Sequence, residues 1–425
     1  MRKIVLIAIC AVCAAGLSAR GFEEAFADST LRVDYIVGGD AATSHILLAK
    51  QKKFAGWAGR RHNLDKVPYI GNGTVTVCDS LTGDTLYRQS FSTLFQEWQA
   101  TDEAKSTQRS FEASFLVPLP RRAALITTEL LDNRHRTVAS NTHLYSPADI
   151  LVSQANNPNP APFHYIHRGG EPEKAIDVAI LAEGFTSEQM PQFNAKAREA
   201  MDALFSHEPF ASHKDDFNIV VVETPSVDSC MSVPRRNEWR STAFGSQFDT
   251  FYSDRYLTSG NVFDIFDAAE HVPFEHLIIL ANSDVYGGGG IYNAYTLTTT
   301  GHDKFRPVVV HEFGHSFGGL ADEYFYDGDV MEDSYPTDVE PWEPNITTLV
   351  DFDSKWEPML KKGTPIPTPI DEAERYPTGV YEGGAYSSKG VYRPADHCRM
   401  RDNDTPGFCP ACQDAITRLI EFYIL

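Results

Sequence analysis

The chain reads as an α/β domain, a twisted mixed sheet carrying helices, preceded by an all-β sandwich. Three observations predict this. Residues 30–150 hold short alternating or β-branched runs separated by turn signals. Beyond residue 165, continuous apolar runs alternate with helical periodicity. Between them lies Asn156-Asn-Pro-Asn-Pro-Ala-Pro162, a linker composition. The expected organisation is an export signal over 1–20, a β-sandwich accessory domain over 21–155, a linker over 156–164 and the catalytic domain over 165–425.

In the first half the predicted strands include Leu31–Ile36, Thr74–Val77, Phe111–Val117 and Ala124–Leu130, with turns at Gly71-Asn-Gly73 and Thr82-Gly-Asp84. No cluster of catalytic residue types lies there, and the second half is expected to fold without it. In that half Ala175–Leu181, Phe217–Glu223 and His276–Ala281 are apolar throughout, as strands buried on both faces require. Thr186–Phe205 reads as a capped helix with Phe193, Ala197, Met201 and Leu204 on one face. Gly287–Gly290 is followed by Ile291–Leu297, which alternates and reads as a half-exposed edge strand. Pro307–Phe317 is a helix with proline in its first turn, and Cys412–Leu425 is a closing amphipathic helix. Residues 335–395, rich in Pro, Gly and Tyr, read as irregular connections.

A chain of 425 residues with 42% apolar and 22% charged residues has ordinary globular composition. Its formal net charge of −21 argues against nucleic acid as a partner and against a polybasic membrane contact. Arg2 and Lys3 precede a short apolar run, Ile4–Leu17, and then Ser18-Ala19, the layout of a secretory signal. No later segment reads as a membrane span. The expected location is therefore outside the cytoplasm: extracellular, periplasmic or on the cell surface. The sequence is silent on oligomeric state.

The strongest chemical signal is His311-Glu312-Phe313-Gly314-His315. Residues four apart share one helix face, so both imidazoles can reach one metal ion. Glu312, one step round, is placed to act as general base on a metal-activated water and then to protonate the leaving amine. His207-Glu208 begins the same word but carries Ala211 in place of the second His and Pro209 within the turn.

A catalytic zinc wants three protein ligands and an open position. A straight helix would carry residue 322 roughly 10 Å along the axis from His315, too far to share an ion. Gly318-Gly319 permits a break, after which Asp322 can return as third ligand, with Glu323 and Glu332 as competitors. Gly288, Gly289 and Tyr292, on or beside the edge strand, are candidates for holding a peptide substrate. Tyr324, Tyr386 and Tyr392 are candidate donors to an oxyanion.

The run His311-Glu-Phe-Gly-His-Ser-Phe-Gly-Gly-Leu-Ala-Asp-Glu-Tyr324 resembles the signature of the IgA-peptidase-like zinc metallopeptidases, a group similar in design to the metzincins. Val178–Thr186 resembles their opening strand and turn, and the likeness spans roughly 165–425. It implies a zinc-dependent peptidase acting on a protein or peptide, with the zinc helix beneath a cleft. It also implies a methionine turn under the metal, for which Cys398-Arg-Met400 is the candidate. In the metzincin pattern the third ligand falls on Ala321, one residue before Asp322. Two other readings stand beside it: a zinc hydrolase of a non-peptide amide, and a surface adhesin with a vestigial motif. The intact Glu312 argues against the adhesin.

Cys398, Cys409 and Cys412 crowd near the C-terminus. In an exported protein the default is a disulfide from Cys398 to Cys409 or Cys412, and the alternative is a structural zinc site completed by His397. Calcium is a further candidate ligand for Asp327, Asp329, Glu332 and Asp333, or for Asp402 and Asp404, although neither stretch fits an EF-hand loop.

Overall fold

The computed structural model describes residues 21–325 and 335–425. The export segment and the stretch holding Asp327, Asp329, Glu332 and Asp333 lie outside the described residues.

The first half contains β1 (Phe26–Gly39), β2 (Ser44–Ala55), β3 (Gly73–Asp79), β4 (Thr85–Phe91), β5 (Arg109–Pro120), β6 (Ala124–Leu131), β7 (Thr137–Tyr145) and the short β8 (Ser153–Gln154). They form two four-stranded sheets, ordered β5-β1-β2-β8 and β4-β3-β6-β7. Side chains point alternately to the two faces of a strand. Val33, Tyr35, Val37, Phe115 and Val117 of one sheet thereby meet Val75, Val77, Ile126 and Leu130 of the other in a single core. The reversal at Thr82–Asp84 joins β3 to β4, with Gly83 at φ +77°, a conformation that favours glycine.

The second half is built on a six-stranded mixed sheet. Its strands are β9 (Phe163–Arg168), β10 (Ile176–Glu183), β11 (Phe217–Val222), β12 (His276–Ala281), β13 (Gly288–Ile291) and β14 (Tyr295–Thr299), in the order β13-β14-β12-β10-β11-β9. The four central strands are parallel, and both edges are antiparallel. The apolar runs are buried on both faces. Val178, Ile180, Ile219, Val221, Ile278 and Leu280 pack against helices Met190–Leu204, Phe305–Ser316 and Pro410–Ile424. Ala179, Leu181, Val220, Val222, Leu277 and Ile279 face a second core with Phe244, Phe248, Leu257 and Phe266.

One predicted element is corrected. Ile291–Leu297 is not a single half-exposed edge strand: Asn293 turns at φ +52°, and the run divides into the end of β13 and the start of β14. β14 is buried at all five positions, and the edge is the glycine run itself.

The two halves are tightly joined. Arg32, fully buried, bonds Asp34 and Asp267 at 2.6 Å each, and Lys52 pairs with Asp267 and Glu270. The Ser92 N–H donates to the Tyr292 carbonyl at 3.0 Å, and Asn293 Nδ2 donates to the Ser90 carbonyl at 2.8 Å. No helix among the described residues is long and apolar enough to cross a membrane.

Candidate metal centre and catalytic cleft

The helix Phe305–Ser316 lies under β13 and β14 with Val308, Val309 and Val310 buried. It ends where the glycines allow. Gly319 has φ +61°, its N–H donates to the His315 carbonyl at 3.0 Å, and the Leu320 N–H donates to the Gly314 carbonyl at 3.1 Å. This left-handed reversal satisfies carbonyls at the helix end and sends the chain back along the helix. Asn345 then holds the returning segment, accepting from the Ala321 N–H at 2.8 Å and donating to the Ala321 carbonyl at 2.9 Å.

Asp322 is thereby brought to the two histidines. Its Oδ1 lies 3.1 Å from His311 Nε2 and 3.3 Å from His315 Nε2, and the two Nε2 atoms are 3.0 Å apart. Each imidazole donates its Nδ1–H to a backbone carbonyl, His311 to Arg399 at 2.9 Å and His315 to Leu320 at 2.6 Å. That tautomer turns the Nε2 lone pairs towards Asp322. Asp322 Oδ1 is buried, and the polar atoms that face it are the two imidazole Nε2 nitrogens. Three electron-rich atoms converging on one point fit a bound cation. About 2.0–2.1 Å from metal to ligand gives ligand separations of ~3.3 Å in a tetrahedron.

The electrostatics agree with the geometry. Burial opposes charge on Asp322, but the two imidazoles outweigh it and hold the carboxyl well below the usual carboxylate range. Burial would lower His315, and the Asp322 carboxylate more than offsets it, raising the imidazole above its ordinary value. Burial pushes Glu312 up, against the pull of the two histidines. Asp322 is fixed from the other side by Tyr386, whose hydroxyl donates to Oδ2 at 2.6 Å. The Tyr324 and Tyr386 hydroxyls are 3.0 Å apart.

Tyr386 sits at the tip of a hairpin, β15 (Tyr381–Gly384) and β16 (Ser387–Arg393), in which Gly384 pairs with Ser387. The two-residue loop is Ala385-Tyr386 at φ +49° and +59°, where Asn-Gly would be the relaxed choice. Left-handed backbone at a non-glycine residue costs about 1–2 kcal/mol. The tip is held by N–H bonds from Ala385 to the Asp322 carbonyl and from Tyr386 to the Tyr324 carbonyl, at 2.8 and 3.1 Å.

Met400 is fully buried beneath the motif helix. A methyl group on Gly314 would come within 2.7 Å of Met400 Sδ, so glycine between the histidines is what lets the methionine approach. The glycine strand has the same logic. Added methyls would fall 2.8 Å from Glu312 Oε1 at Gly288 and 2.2 Å from the Glu312 carbonyl oxygen at Gly290. β13 therefore lies directly over the candidate base.

The two halves of the chain match family models described as IgA Peptidase M64, over 165–377 and 372–420, and Peptidase M64 N-terminus, over 21–141. The chain belongs to the IgA peptidase M64 family. This membership makes it a peptidase hydrolase, with a protein or peptide as substrate. A search of curated proteins finds no match.

Several expectations for this M64 chain are redirected by the structure. Tyr292 does not line the cleft: it is 3% exposed, its ring packs against Tyr69 and Trp342, and its hydroxyl faces Ser90 of the first half. Gly288 and Gly289 are on the edge strand, but the Gly288 position is already bridged by Tyr256. Glu323 turns away from the histidines, and Glu332 lies outside the described residues. Cys398, Cys409 and Cys412 are free cysteines rather than a disulfide, with Cys398 and Cys412 sulfurs 3.7 Å apart. His397 points outward, its side chain 79% exposed. Asp402 accepts from the N–H groups of Asp404 and Thr405 and caps a turn, and Asp404 pairs with Lys304.

Sequence reading missed Glu97 and Tyr256. The Tyr256 hydroxyl donates to Glu97 of the first half, and Glu97 lies close enough to interact electrostatically with His315, Glu312 and Asp322. No motif flags a single glutamate in a short helix 214 residues before the first histidine (311 − 97).

Proposed function

We propose that this M64 peptidase is an exported zinc-dependent endopeptidase in which His311, His315 and Asp322 hold the metal and Glu312 is the general base. The observation that carries the reading is the convergence of two imidazole Nε2 atoms and a buried carboxylate oxygen on one point, with Glu312 on the same helix as the histidines. Zinc, when bound, would act as a Lewis acid that lowers the pKa of a water and polarises the scissile carbonyl. Glu312 takes the proton of the attacking water and passes it to the leaving amine. Its raised affinity for a proton, set by burial, suits both halves of that task. Tyr386 holds Asp322 in place, and Met400 supports the helix from below.

Peptide, rather than another amide, is favoured by β13: an extended chain can run along the glycine edge above Glu312, limited at Gly288 by the bridge to Tyr256. The catalytic half is read as metzincin-like and the first half as a β-sandwich accessory domain. Export rests on Arg2, Lys3 and the apolar run that follows.

Casein zymography of the purified chain, with and without a zinc chelator, tests the reading. Clearing that disappears with chelator and returns on adding zinc is expected. Clearing that persists in the metal-stripped protein would overturn the zinc reading.

A further inference from the structure

Directly behind the candidate catalytic centre, Glu323, Cys398, Cys409 and Cys412 bring one ligand atom each to within 4.8 Å of one another. All four are buried: Glu323, Cys398 and Cys412 are 0% exposed and Cys409 is 4% exposed. We propose that these residues form a second, structural zinc site, distinct from the catalytic one.

The sulfur geometry distinguishes a metal site from a disulfide. Cys398 and Cys412 sulfurs stand 3.7 Å apart, whereas a disulfide requires about 2.05 Å. Two thiolates on one tetrahedral zinc, each at about 2.3 Å, are separated by ~3.8 Å. Cys409 and Cys412 form a Cys-x-x-Cys turn that opens the closing helix, Pro410–Ile424, with Cys409 as its N-cap. Thiolates at a helix N-terminus are stabilised by its dipole. The Cys409 N–H points at Cys398 Sγ at 3.4 Å, supplying an amide donor to that sulfur.

Glu323 is the second, independent sign of a ligand. Its Oε1 accepts from Asn345 Nδ2 at 3.0 Å and from the Cys412 thiol at 3.1 Å, while Oε2 is buried with no partner. A carboxylate enclosed among thiols is costly to bury unless a cation balances it. Three thiolates and one carboxylate around a dication carry the same net charge as a set of four thiolates, which zinc accepts. Arg393, itself buried, interacts with Glu323 and offsets part of that charge. Thiolate-rich donors select a soft or borderline ion, and four protein ligands with no open position make a closed, structural site.

The position explains what such an ion would do. Glu323 follows Asp322, and its N–H donates to the Met400 carbonyl at 2.8 Å. Cys398 precedes Met400 by two residues, and the carbonyl of Arg399 between them accepts from His311. One ion would therefore tie the Asp322 segment, the turn under the motif helix and the closing helix into a single rigid support.

The test is metal stoichiometry and cobalt spectroscopy on the full chain, purified without added reductant. Wild type should hold about two metal equivalents, and the His311→Ala/His315→Ala double variant about one. Cobalt in that double variant should show a strong thiolate-to-cobalt charge-transfer band in the near ultraviolet. Cys412→Ser should lose one equivalent and that band, and Glu323→Gln should weaken the site. Wild type supplies the same band if either variant fails to fold. A single equivalent in wild type without a thiolate band, freely reactive thiols at Cys398, Cys409 and Cys412, or a disulfide mapped by mass spectrometry to any of those three would overturn the proposal. Loss of the catalytic ion alone leaves the thiolate band in place, so this proposal and the catalytic reading fail separately.

Discussion

Asp322 and Glu323 are neighbours in sequence and belong to different sites. Asp322 faces His311 and His315 in a cluster that reaches solvent, with side chains 10%, 11% and 17% exposed. Glu323 faces three cysteines in a cluster sealed from it. The difference matches the two uses of a metal proposed for them. A catalytic ion keeps a position open for water and substrate, whereas a structural ion is enclosed by its ligands. Donor chemistry divides in the same way, with nitrogen and oxygen in the open site and sulfur in the closed one. Two adjacent residues, each facing a different cluster, are enough to serve both.

The comparison is most easily broken at its shared segment. Asp322→Ala should remove a direct ligand from the open cluster and lower its zinc affinity by more than ~100-fold, abolishing hydrolysis, because loss of even an outer-shell partner costs about 10–100-fold. The thiolate cluster should keep its ion. Isothermal titration with zinc, alongside metal analysis, separates the two. Normal zinc uptake at the histidines in Asp322→Ala would remove it from the ligand set.

A smaller effect is expected at the residue that positions Asp322. Tyr386→Phe removes the donor to Oδ2 but keeps the ring that packs against Tyr324. The expected loss is roughly 10–100-fold in zinc affinity or in kcat/KM. The melting temperature should change little, and a variant with unaltered zinc affinity and turnover would show that the strained hairpin tip has another purpose.

Much of the open cluster was legible in the sequence. His311, Glu312 and His315 form a local word whose spacing is a property of the helix, and Gly319 marks where that helix must reverse. The buried strands of the second half were equally plain, because burial on both faces leaves an uninterrupted apolar run. The closed cluster was only half legible. The cysteines were visible as a group, but their fourth partner was sought nearby at His397, while Glu323 comes from 75 residues before Cys398 (398 − 323). The expectation of export favoured a disulfide on general grounds, and the sulfur separation together with the buried Glu323 carboxylate argues otherwise.

The glycine run illustrates another limit. Its composition suggests a loose turn, yet Gly288 and Gly290 are required by the close approach of β13 to Glu312, a tertiary contact that sequence does not print. Tyr292 was misassigned for the same reason: it lies next to the cleft in sequence and against the first half in space. The first half contributes Glu97 to the surroundings of the cleft, so the two halves are coupled at the site.

The central claim is that Glu312 performs chemistry and does not bind the metal. Glu312→Ala should therefore retain the zinc content of wild type while peptide hydrolysis falls by ~10²–10⁴-fold, the range expected for loss of a general base. Parallel measurement of zinc per chain and kcat on a fluorogenic peptide decides it: full zinc with hydrolysis nearly gone is the predicted result, and full zinc with turnover retained would contradict the account.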